Sequence, residues 1–558
     1  MKSLLSMVSA IQFRPRLLSH LPTYNRGDFA ADLGAGLTVG IVALPLAMAF
    51  GIASGARPDQ GLVAAIVAGF IISAFGGSRV LIGGPAGAFV ALLYAIVAKY
   101  GIANLLLATM MAGVLLFLLG AFKLGTLVRY VPVSIIIGFT GGLAVIIATS
   151  QVKDFLGLAT GNIPSNFFSQ VAAIAASIHT VNWLALFIGL SSLLLIVLWP
   201  VGYQLQAVRW KRILAKLPST LIVLVVWSLF VWMLDLPVET IGTKYGELPS
   251  GIPMPTMPSF DWRTAQHLVA PTLAIAALCA IESLLCARMA DGLINDRHDP
   301  NQELMAQGLA NFVTPLFGGI TATGTIARTV TNIRAGARSP VAGIVHALVL
   351  LVFLLVAAPL AVHIPLAALA AILLWTAYAM GDWKEFGKLG QYSMFYRTTL
   401  LSTFLLTVIF DLIVAIQVGL ILSSLFFIYR ISSLTKIDQI DLPADVAVRA
   451  DGRQVAAYSL FGSLFFGSVS KLELLLDPQR KLPDVLILEM HQVINLDTTA
   501  LDALANLHRH IHRSNGRMIL VGLNEQPLSL LSRSHFVEQL GTENLAASMT
   551  AALQSIAD

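Results

Sequence analysis

The chain has 558 residues, of which 57% are hydrophobic and only 12% are charged, and its formal net charge is +5. A soluble domain normally carries about 25% charged residues, whereas the runs 155–208 and 339–381 here contain no Asp, Glu, Lys or Arg. This composition excludes an ordinary soluble enzyme. Each charge-free run can hold about two membrane spans, because a spanning helix needs roughly 20 apolar residues.

Apolar segments recur from the N-terminal region to residue 431 and predict about 14 spanning helices. The segments that begin near residues 85 and 324 are short. The predicted spans lie near 32–52, 61–76, 85–98, 103–122, 131–150, 183–203, 218–235, 267–287, 303–317, 324–336, 340–361, 364–380, 398–413 and 414–431.

Basic residues follow the even-numbered spans, as expected of cytoplasmic turns when the N-terminus is also inside. They are Lys123 and Arg129 after span four, Arg209, Lys211, Arg212 and Lys216 after span six, Arg334 and Arg338 after span ten, and Lys384 and Lys388 after span twelve. The acidic, proline-rich segment 237–263 is then outside. Because the number of spans is even, both termini are predicted to be cytoplasmic, and the positive net charge reflects these turns rather than nucleic-acid binding.

The composition changes after Arg430, where charged residues become dense and the hydrophobic periods become mixed. Residues 460–466, 485–490 and 518–523 are predicted strands, and 499–513 is a predicted amphipathic helix. Strands that alternate with helices indicate a small α/β domain. We therefore expect a cytoplasmic segment at 1–26, a membrane domain at 27–432 and a cytoplasmic α/β domain at 433–558.

Two interruptions of the apolar pattern occur at matching places in the two halves. Phe75-Gly76-Gly77 leads into Gly83-Gly84-Pro85-Ala86, and Phe317-Gly318-Gly319 leads into Thr323-Gly324-Thr325. Paired interruptions of this kind are the best pointer from sequence to a transporter's binding site. The alternative is that these glycines and the proline merely permit a kink or tight packing.

The chemistry of such a site follows from helix ends. A helix N-terminus offers free N–H donors and roughly half a positive charge, so two facing ends can hold an anion in the membrane. Gly83 and Gly84 permit close backbone approach, and Pro85 suits a first helical turn. Thr323 and Thr325 could cap a helix or donate their hydroxyl groups.

Two ionisable residues stand in predicted spans, where charge is rare and usually functional. Arg328 is predicted to attract or bind the anion; the alternative is an arginine that snorkels to the cytoplasmic face with Arg334 and Arg338. Glu282 is predicted to carry a proton, because an unpaired carboxylate in hydrocarbon favours its protonated form. The alternative for Glu282 is a static ion pair with Arg328.

At these residues the chain resembles the SulP family of anion transporters with a C-terminal STAS domain. Within that family it is most similar to the DauA-type bacterial C4-dicarboxylic acid transporters. The matching stretches are 32–33, 43–50, 84–86, 280–287, 318–323, 326–328 and 493–501.

The resemblance implies two intertwined, inverted repeats of seven spans, with a core domain of spans one to four and eight to eleven and a gate domain of spans five to seven and twelve to fourteen. It also implies a homodimer and a substrate held between half-helices three and ten. The implied binding residues are Phe50, Gly84, Pro85, Ala86, Gly87, Thr323, Thr325, Ala327 and Arg328.

Three points of this resemblance are ambiguous. Phe50 matches an aromatic beside the substrate, although ordinary packing is an equal alternative. Leu46 and Ala86 replace a glutamine and a phenylalanine found in relatives, and the smaller, less polar walls favour a C4-dicarboxylate over chloride. In the STAS-like tail, Thr498 and Thr499 follow Asp497 where relatives are phosphorylated. Because Ala500 replaces the usual glycine, an ordinary helix cap at Asp497 or Thr498 is the favoured interpretation.

Together these features predict a secondary active anion transporter of the bacterial inner membrane. The expected reaction is proton-coupled, alternatively sodium-coupled, uptake of succinate, fumarate, malate or aspartate by an elevator-like motion. The alternatives are a sulfate or bicarbonate transporter, or an anion channel or sensor. No nucleophile–base set or metal-ligand spacing indicates an enzyme, a metal or another cofactor, and Cys279 and Cys286 are expected to be buried packing residues.

Overall fold

The computed structural model describes residues 13–126, 132–160, 167–199, 218–247, 249, 251–258, 261–410, 412–448, 452–473 and 483–557. The chain divides into two compact units, Met1–Leu420 and Ile421–Asp558. Five of the basic residues used to predict the orientation lie outside the described residues: Arg129, Arg209, Lys211, Arg212 and Lys216.

Each of the predicted spans corresponds to a helix. In chain order they are α1 (Arg26–Ala53), α2 (Pro58–Phe75), α3 (Val90–Tyr100), α4 (Ile102–Ala121), α5 (Val133–Leu156), α6 (Trp183–Leu198), α7 (Ser219–Leu234), α8 (Val269–Ile294), α9 (Pro300–Val313), α10 (Ile326–Arg334), α11 (Val341–Val356), α12 (Leu366–Met380), α13 (Met394–Ile409) and α14 (Leu412–Leu434). The short helix Arg16–His20 precedes α1, and further short helices connect later spans at Phe167–Ala176, Ile241–Tyr245, Trp262–His267, Ala358–Ala361 and Trp383–Gly387.

The helices differ in length in the way that the interruptions predict. Six helical segments of the described chain are long and apolar enough to cross a membrane: Arg26–Ala53, Pro58–Phe75, Ile102–Ala121, Val133–Leu156, Val269–Ile294 and Gln417–Leu434. By contrast, α3 has 11 residues and α10 has nine. Since a full crossing takes roughly 20 residues, α3 and α10 are half-helices, and each is preceded by a two-residue strand, β1 (Gly83–Gly84) or β2 (Thr323–Gly324).

Helix packing in the first unit falls into two sets. The closest partners of α1 are α2 and α11, while α9 packs on α4 and α2 and α8 packs on α4. In the second set, α5 packs against α12 and α13, and α12 also packs against α6. Fewer contacts join α1 to α7 and α12 across the two sets. The small buried side chains Ala43, Ala47 and Ala368 in these interfaces let the helix backbones approach closely.

The second unit contains a five-stranded sheet in the order β3-β4-β5-β6-β7. Strand β3 is antiparallel to β4, and the other neighbours are parallel. The strands are β3 (Lys436–Ile440), β4 (Val455–Leu464), β5 (Val485–Leu496), β6 (Arg517–Val521) and β7 (Leu545–Ala546), and the helices are α15 (Ala444–Ala447), α16 (Val469–Glu473), α17 (Thr498–Arg513), α18 (Glu525–Arg533), α19 (Phe536–Leu540) and α20 (Met549–Ala557). The predicted α/β domain is confirmed.

Helix α17 begins with a side-chain cap. The Asp497 carboxylate accepts hydrogen bonds from the backbone N–H of Ala500 at 2.8 Å and from that of Phe466 at 3.0 Å. A carboxylate here accepts a hydrogen bond from an otherwise unpaired helix N–H and interacts favourably with the positive end of the helix dipole. The predicted cap is therefore present, and Asp497 is the residue that forms it.

Candidate functional site

The two interrupted segments meet in the interior of the first unit. Strands β1 and β2 pair antiparallel, with Gly83 opposite Gly324 and Gly84 opposite Thr323. The same order of elements, Phe-Gly-Gly, strand and half-helix, therefore occurs in both halves with opposite direction. This arrangement brings the N-terminal ends of α3 and α10 together, as the paired interruptions predict.

Polar groups of α10 fasten the segment that leads into α3. The backbone N–H and the hydroxyl of Thr325 both donate to the Ile82 carbonyl, each at 2.9 Å. The Thr329 hydroxyl accepts from the Ile82 N–H at 3.0 Å, and the Asn332 amide donates to the Val80 carbonyl at 2.9 Å. Irregular backbone at membrane depth is tolerated when such partners satisfy it. Residues 325, 329 and 332 share one helical face, so the polar spacing in the sequence could have revealed this contact, which our sequence analysis missed.

Arg328 lies in the first turn of α10 and is only 1% exposed. Its Nη2 donates to the Pro85 carbonyl at 3.1 Å, and its buried Nη1 has no hydrogen-bond partner in the described chain. The snorkelling alternative is wrong, because the side chain turns inward. Arg338 is the basic residue that does reach the surface, where its 59% exposed side chain bonds Asp28 at 2.9 Å.

Gly84 provides the space that the guanidinium occupies. A Cβ added at Gly84 would lie 2.4 Å from Nη1 of Arg328, and the φ angle of Gly84 is +152°, in a region that favours glycine. The next two residues, Pro85 and Ala86, lead into a 3₁₀ turn at Gly87–Phe89, which continues as α3. Any side chain larger than hydrogen at position 84 would therefore displace the charged group.

Gly87 brings two further side chains to the start of α3. A Cβ added there would lie 3.2 Å from Cε1 of Phe50 and 2.7 Å from the sulfur of Met380. Phe50 belongs to α1 and is buried, and Met380 is the last residue of α12. The structure thus places the predicted Phe50 beside the predicted Gly87, and it adds Met380, which no sequence pattern indicated.

The remaining predicted binding residues face different directions. Thr323 is buried in β2, and its hydroxyl donates to the Cys279 carbonyl of α8 at 3.3 Å. Thr325 is the N-cap residue of α10, but its side chain makes no capping hydrogen bond. Ala327 and its neighbour Ile326 are exposed at the N-terminal end of α10. Of the two roles predicted for the threonines, donation is present and is directed to backbone carbonyls.

Glu282 lies on α8 beside β2. The next residue, Ser283, places its Cα 3.2 Å from where a Cβ on Gly324 would stand. The carboxylate is 8% exposed and has no hydrogen bond or ion pair within the described chain. The predicted static pair between Glu282 and Arg328 is therefore absent there, and that alternative is wrong. Cys279 and Cys286, on the same helix, are buried free thiols, as predicted.

A cavity among the described residues is separate from these groups. It has a volume of about 530 Å³, and none of the predicted binding residues lines it. Its lining includes Val90, the first residue of α3, which lies three positions after Gly87. The cavity therefore ends one helical turn short of the converging helix ends.

Comparison with known sequences decides the family. The sequence profile of the sulfate permease family matches residues 29–403, and that of the STAS domain matches residues 447–551. The chain belongs to the sulfate permease family. The predicted SulP membership and C-terminal STAS domain are confirmed.

Two relatives in this family cover nearly the whole chain. The putative sulfate transporter YvdB of Bacillus subtilis (strain 168) is 42% identical over 524 residues, which cover 93% of this chain and 96% of the relative. The bicarbonate transporter BicA of Picosynechococcus sp. is 29% identical over 551 residues, which cover 95% and 94% of the two chains. Both names denote inorganic oxyanions, and the resemblance to DauA-type dicarboxylate transporters stays a prediction.

Solved structures of the family share the fold. That of SLC26A9 matches with a TM-score of 0.85 at 20% identity and covers 100% of this chain and 95% of that one. The transmembrane domain of a cyanobacterial BicA matches with a TM-score of 0.62 at 29% identity, covering 72% of this chain and 98% of that one. The predicted fold class, a helical membrane transporter with a C-terminal STAS domain, is confirmed.

Proposed function

We propose that this chain is a secondary active transporter that carries a small divalent oxyanion between the N-termini of α3 and α10. The observation that carries the proposal is the antiparallel pairing of β1 with β2, which brings both helix ends beside the unpartnered Nη1 of Arg328. An unpartnered cationic donor in a membrane interior is costly unless an anion or water reaches it. The proposed anion accepts hydrogen bonds from the backbone N–H groups at the two helix ends. The guanidinium of Arg328 holds these ends together and adds positive charge beside them.

Charge balance favours a divalent anion. Each helix N-terminus acts as roughly half a positive charge, so the two ends together with the guanidinium provide about two positive charges. A sulfate ion or a dicarboxylate dianion neutralises this set, whereas bicarbonate leaves about one charge uncompensated. The buried carboxylate of Glu282 would weaken the balance if it were ionised.

Sulfate is the first candidate substrate, since the name of the relative with 42% identity refers to sulfate transport. A C4-dicarboxylate such as succinate, fumarate, malate or aspartate is the second. The small, buried Ala86 and the apolar Leu46 favour this second candidate, because they leave more room and less polarity beside the helix ends. Bicarbonate is the third, and the name of the relative BicA supports it.

Glu282 is the proposed coupling residue. It lies on the helix that packs on β2, and no described cation pairs with it. Protonation of this carboxylate removes a negative charge near the proposed binding site. A dianion and a proton therefore favour each other's binding, which is the requirement for symport. Sodium is the alternative coupling ion.

The proposed transport cycle moves the core helices, which carry both half-helices, against the gate helices by an elevator-like motion. The sparse contact between the set around α1 and the set around α5 supports this division. We further propose a homodimer in the bacterial plasma membrane with both termini in the cytoplasm. Crosslinking in membranes tests the dimer. The orientation is tested by substituting cysteine for Lys123 or Lys99 and measuring which side of the membrane a thiol reagent must be added to.

Uptake into proteoliposomes tests the function. Labelled sulfate, succinate and bicarbonate are compared under imposed proton and sodium gradients, with empty liposomes as the control. The proposal expects concentrative uptake of a divalent oxyanion that requires the inward proton gradient, together with counterflow. Flux without counterflow would identify a channel, and binding without flux would identify a sensor; either result would overturn the proposal.

A further inference from the structure

A cavity beside the C-terminal ends of α1, α3 and α5 has a chemical character that the proposed binding site does not explain. Its volume is about 530 Å³, and its walls include Ala53 of α1 and residues of α3 from Val90 to Tyr100. It therefore follows α3 over most of its length, roughly 15 Å at 1.5 Å per residue. We refer to this cavity as the lysine vestibule.

Three lysines line the vestibule: Lys99 near the end of α3, Lys153 near the end of α5 and Lys244 in the short helix Ile241–Tyr245. Among the described residues that line it, Asp154 is the one that carries a carboxylate. The lining thus carries a surplus of positive charge. Such surplus in a concave, partly apolar cleft concentrates anions, because the low-dielectric walls focus the field.

The three ammonium groups are not equivalent. Lys244 bonds Asp154 at 3.1 Å and approaches Glu239 at 3.7 Å. Burial favours the neutral form of Lys244, but Asp154, Tyr245 and Glu239 together outweigh it and raise the pKa of Lys244 above its ordinary value. Lys99 lies over the Tyr100 ring at 5.1 Å. Lys153 has neither a hydrogen bond nor a carboxylate partner within the described chain, although it is half-buried.

The vestibule leads toward the proposed binding site. Val90 is among its lining residues, and Gly87, where an added Cβ would lie 3.2 Å from Phe50, stands about one turn earlier in the same segment. The cavity is at the membrane face where α1 ends, opposite the face where α1 begins at Arg26. In the predicted orientation this face is the outer one.

We propose that the lysine vestibule is a second, outer oxyanion-binding site, at which Lys153 holds the incoming anion before it reaches the helix ends of α3 and α10. This inference rests on the proposed function, since it assigns the same substrate class to both sites. Lys153 supplies a positive charge that no described carboxylate pairs with. Lys244, whose charge Asp154 neutralises, forms part of the cavity wall. Lys153 is only half-buried whereas Arg328 is fully buried, so solvent screens the outer site more and its affinity is lower.

Protection of lysine amines from reductive dimethylation tests this site in the full-length protein in nanodiscs. Labelling rates at single lysines are measured by peptide mass spectrometry in sodium sulfate and in sodium chloride of matched ionic strength. Sulfate is expected to slow the labelling of Lys153 about threefold at twice its dissociation constant, because the reactive fraction falls as 1/(1 + [L]/Kd). Lys123, at the opposite membrane face, is the matched control and should label equally in both salts.

The same measurement in Arg328→Ala separates the two sites. The inference expects protection of Lys153 to persist in this variant, whereas loss of protection would show that sulfate acts through the inner site and would overturn it. Equal labelling of Lys153 in both salts would overturn it as well. If wild-type protein transports none of the tested anions but Lys153 is protected, the proposed function fails while the vestibule site stands. Lys153→Gln should lose the low-affinity sulfate binding that Lys153→Arg retains.

Discussion

Nη2 of Arg328 donates to the carbonyl of Pro85 at 3.1 Å, across 243 positions of sequence. The bond joins the first turn of one half-helix to the segment that leads into the other. Because the guanidinium is charged, this is a stronger contact than one between neutral groups, typically about 1.5–3 kcal/mol. The two helix ends are therefore held by the same residue whose other amino group, Nη1, stays unpaired.

Arg328→Ala should fold but lose transport. The variant removes one of roughly two positive charges at the proposed site, so initial uptake at low substrate should fall about 10- to 100-fold, the range that corresponds to one charge-assisted hydrogen bond. The measurement is sulfate and succinate uptake into proteoliposomes. Arg338→Ala, which removes a surface arginine bonded to Asp28, is the matched control and should keep most uptake. Wild-type affinity in Arg328→Ala would remove Arg328 from the site.

Gly84→Ala should lose part of the transport activity that Arg328→Ala loses, although it removes no charge. The new methyl group would meet Nη1 at 2.4 Å, so the guanidinium must move away from the helix ends. We expect an increased KM for uptake with the protein still monodisperse by size-exclusion chromatography. Gly34→Ala in α1 is the control, since its added methyl group meets nothing within 4 Å and alanine favours a helix. An unchanged KM in Gly84→Ala would show that close approach at this glycine is unimportant.

Glu282→Gln should abolish the stimulation of uptake by external acid and keep exchange of internal for external substrate. The substitution breaks no ion pair in the described chain, so the protein should remain stable. Uptake and exchange are measured between about pH 6 and 8, one unit either side of neutrality, where a buried carboxyl can titrate. Glu247→Gln in the exposed loop after the short helix Ile241–Tyr245 is the control. Proton stimulation that survives in Glu282→Gln would assign coupling to another group.

Thr329→Val should weaken the junction between the two halves. The valine leaves the buried Ile82 N–H without its 3.0 Å acceptor, which costs about 1–3 kcal/mol. The measurement is the thermal unfolding midpoint in detergent, which should fall relative to wild type. Thr331→Val, whose hydroxyl bonds only the Ala327 carbonyl within its own helix, is the control and should unfold near the wild-type midpoint. Equal midpoints for the two variants would contradict the proposed role of this bond.

Much of the fold could be predicted because hydrophobic runs and charge placement report membrane spans directly. The short segments before α3 and α10 stood out, since glycine, proline and threonine replace the apolar residues that a crossing helix requires. Strands β4, β5 and β6 of the STAS domain followed from their apolar runs, whereas β3 and β7 were not predicted. The approach of the two interrupted segments was expected from their symmetry, whereas the strand pairing of 83–84 with 323–324 was not predicted.

The details of the site were less accessible, since they depend on side-chain direction. Nothing in the sequence distinguishes an arginine that turns inward, such as Arg328, from one that reaches the surface, such as Arg338. Likewise, the absence of a Glu282–Arg328 pair follows from the rotation of α8 relative to α10, which a linear pattern does not encode. Met380 reaches Gly87 through the packing of α12, a contact between distant segments.

The hydrogen bonds from α10 to Val80 and Ile82 have a consequence for biosynthesis. When the ribosome has made only the first eight spans, the Ile82 N–H and the carbonyls of Val80 and Ile82 lack the partners that residues 325–332 supply. Unpaired backbone groups are poorly tolerated in lipid. This segment of the first half must therefore stay in contact with water or with the insertion machinery until the second half has been synthesised. Truncated nascent chains that end before residue 323 should therefore be targets of membrane quality control.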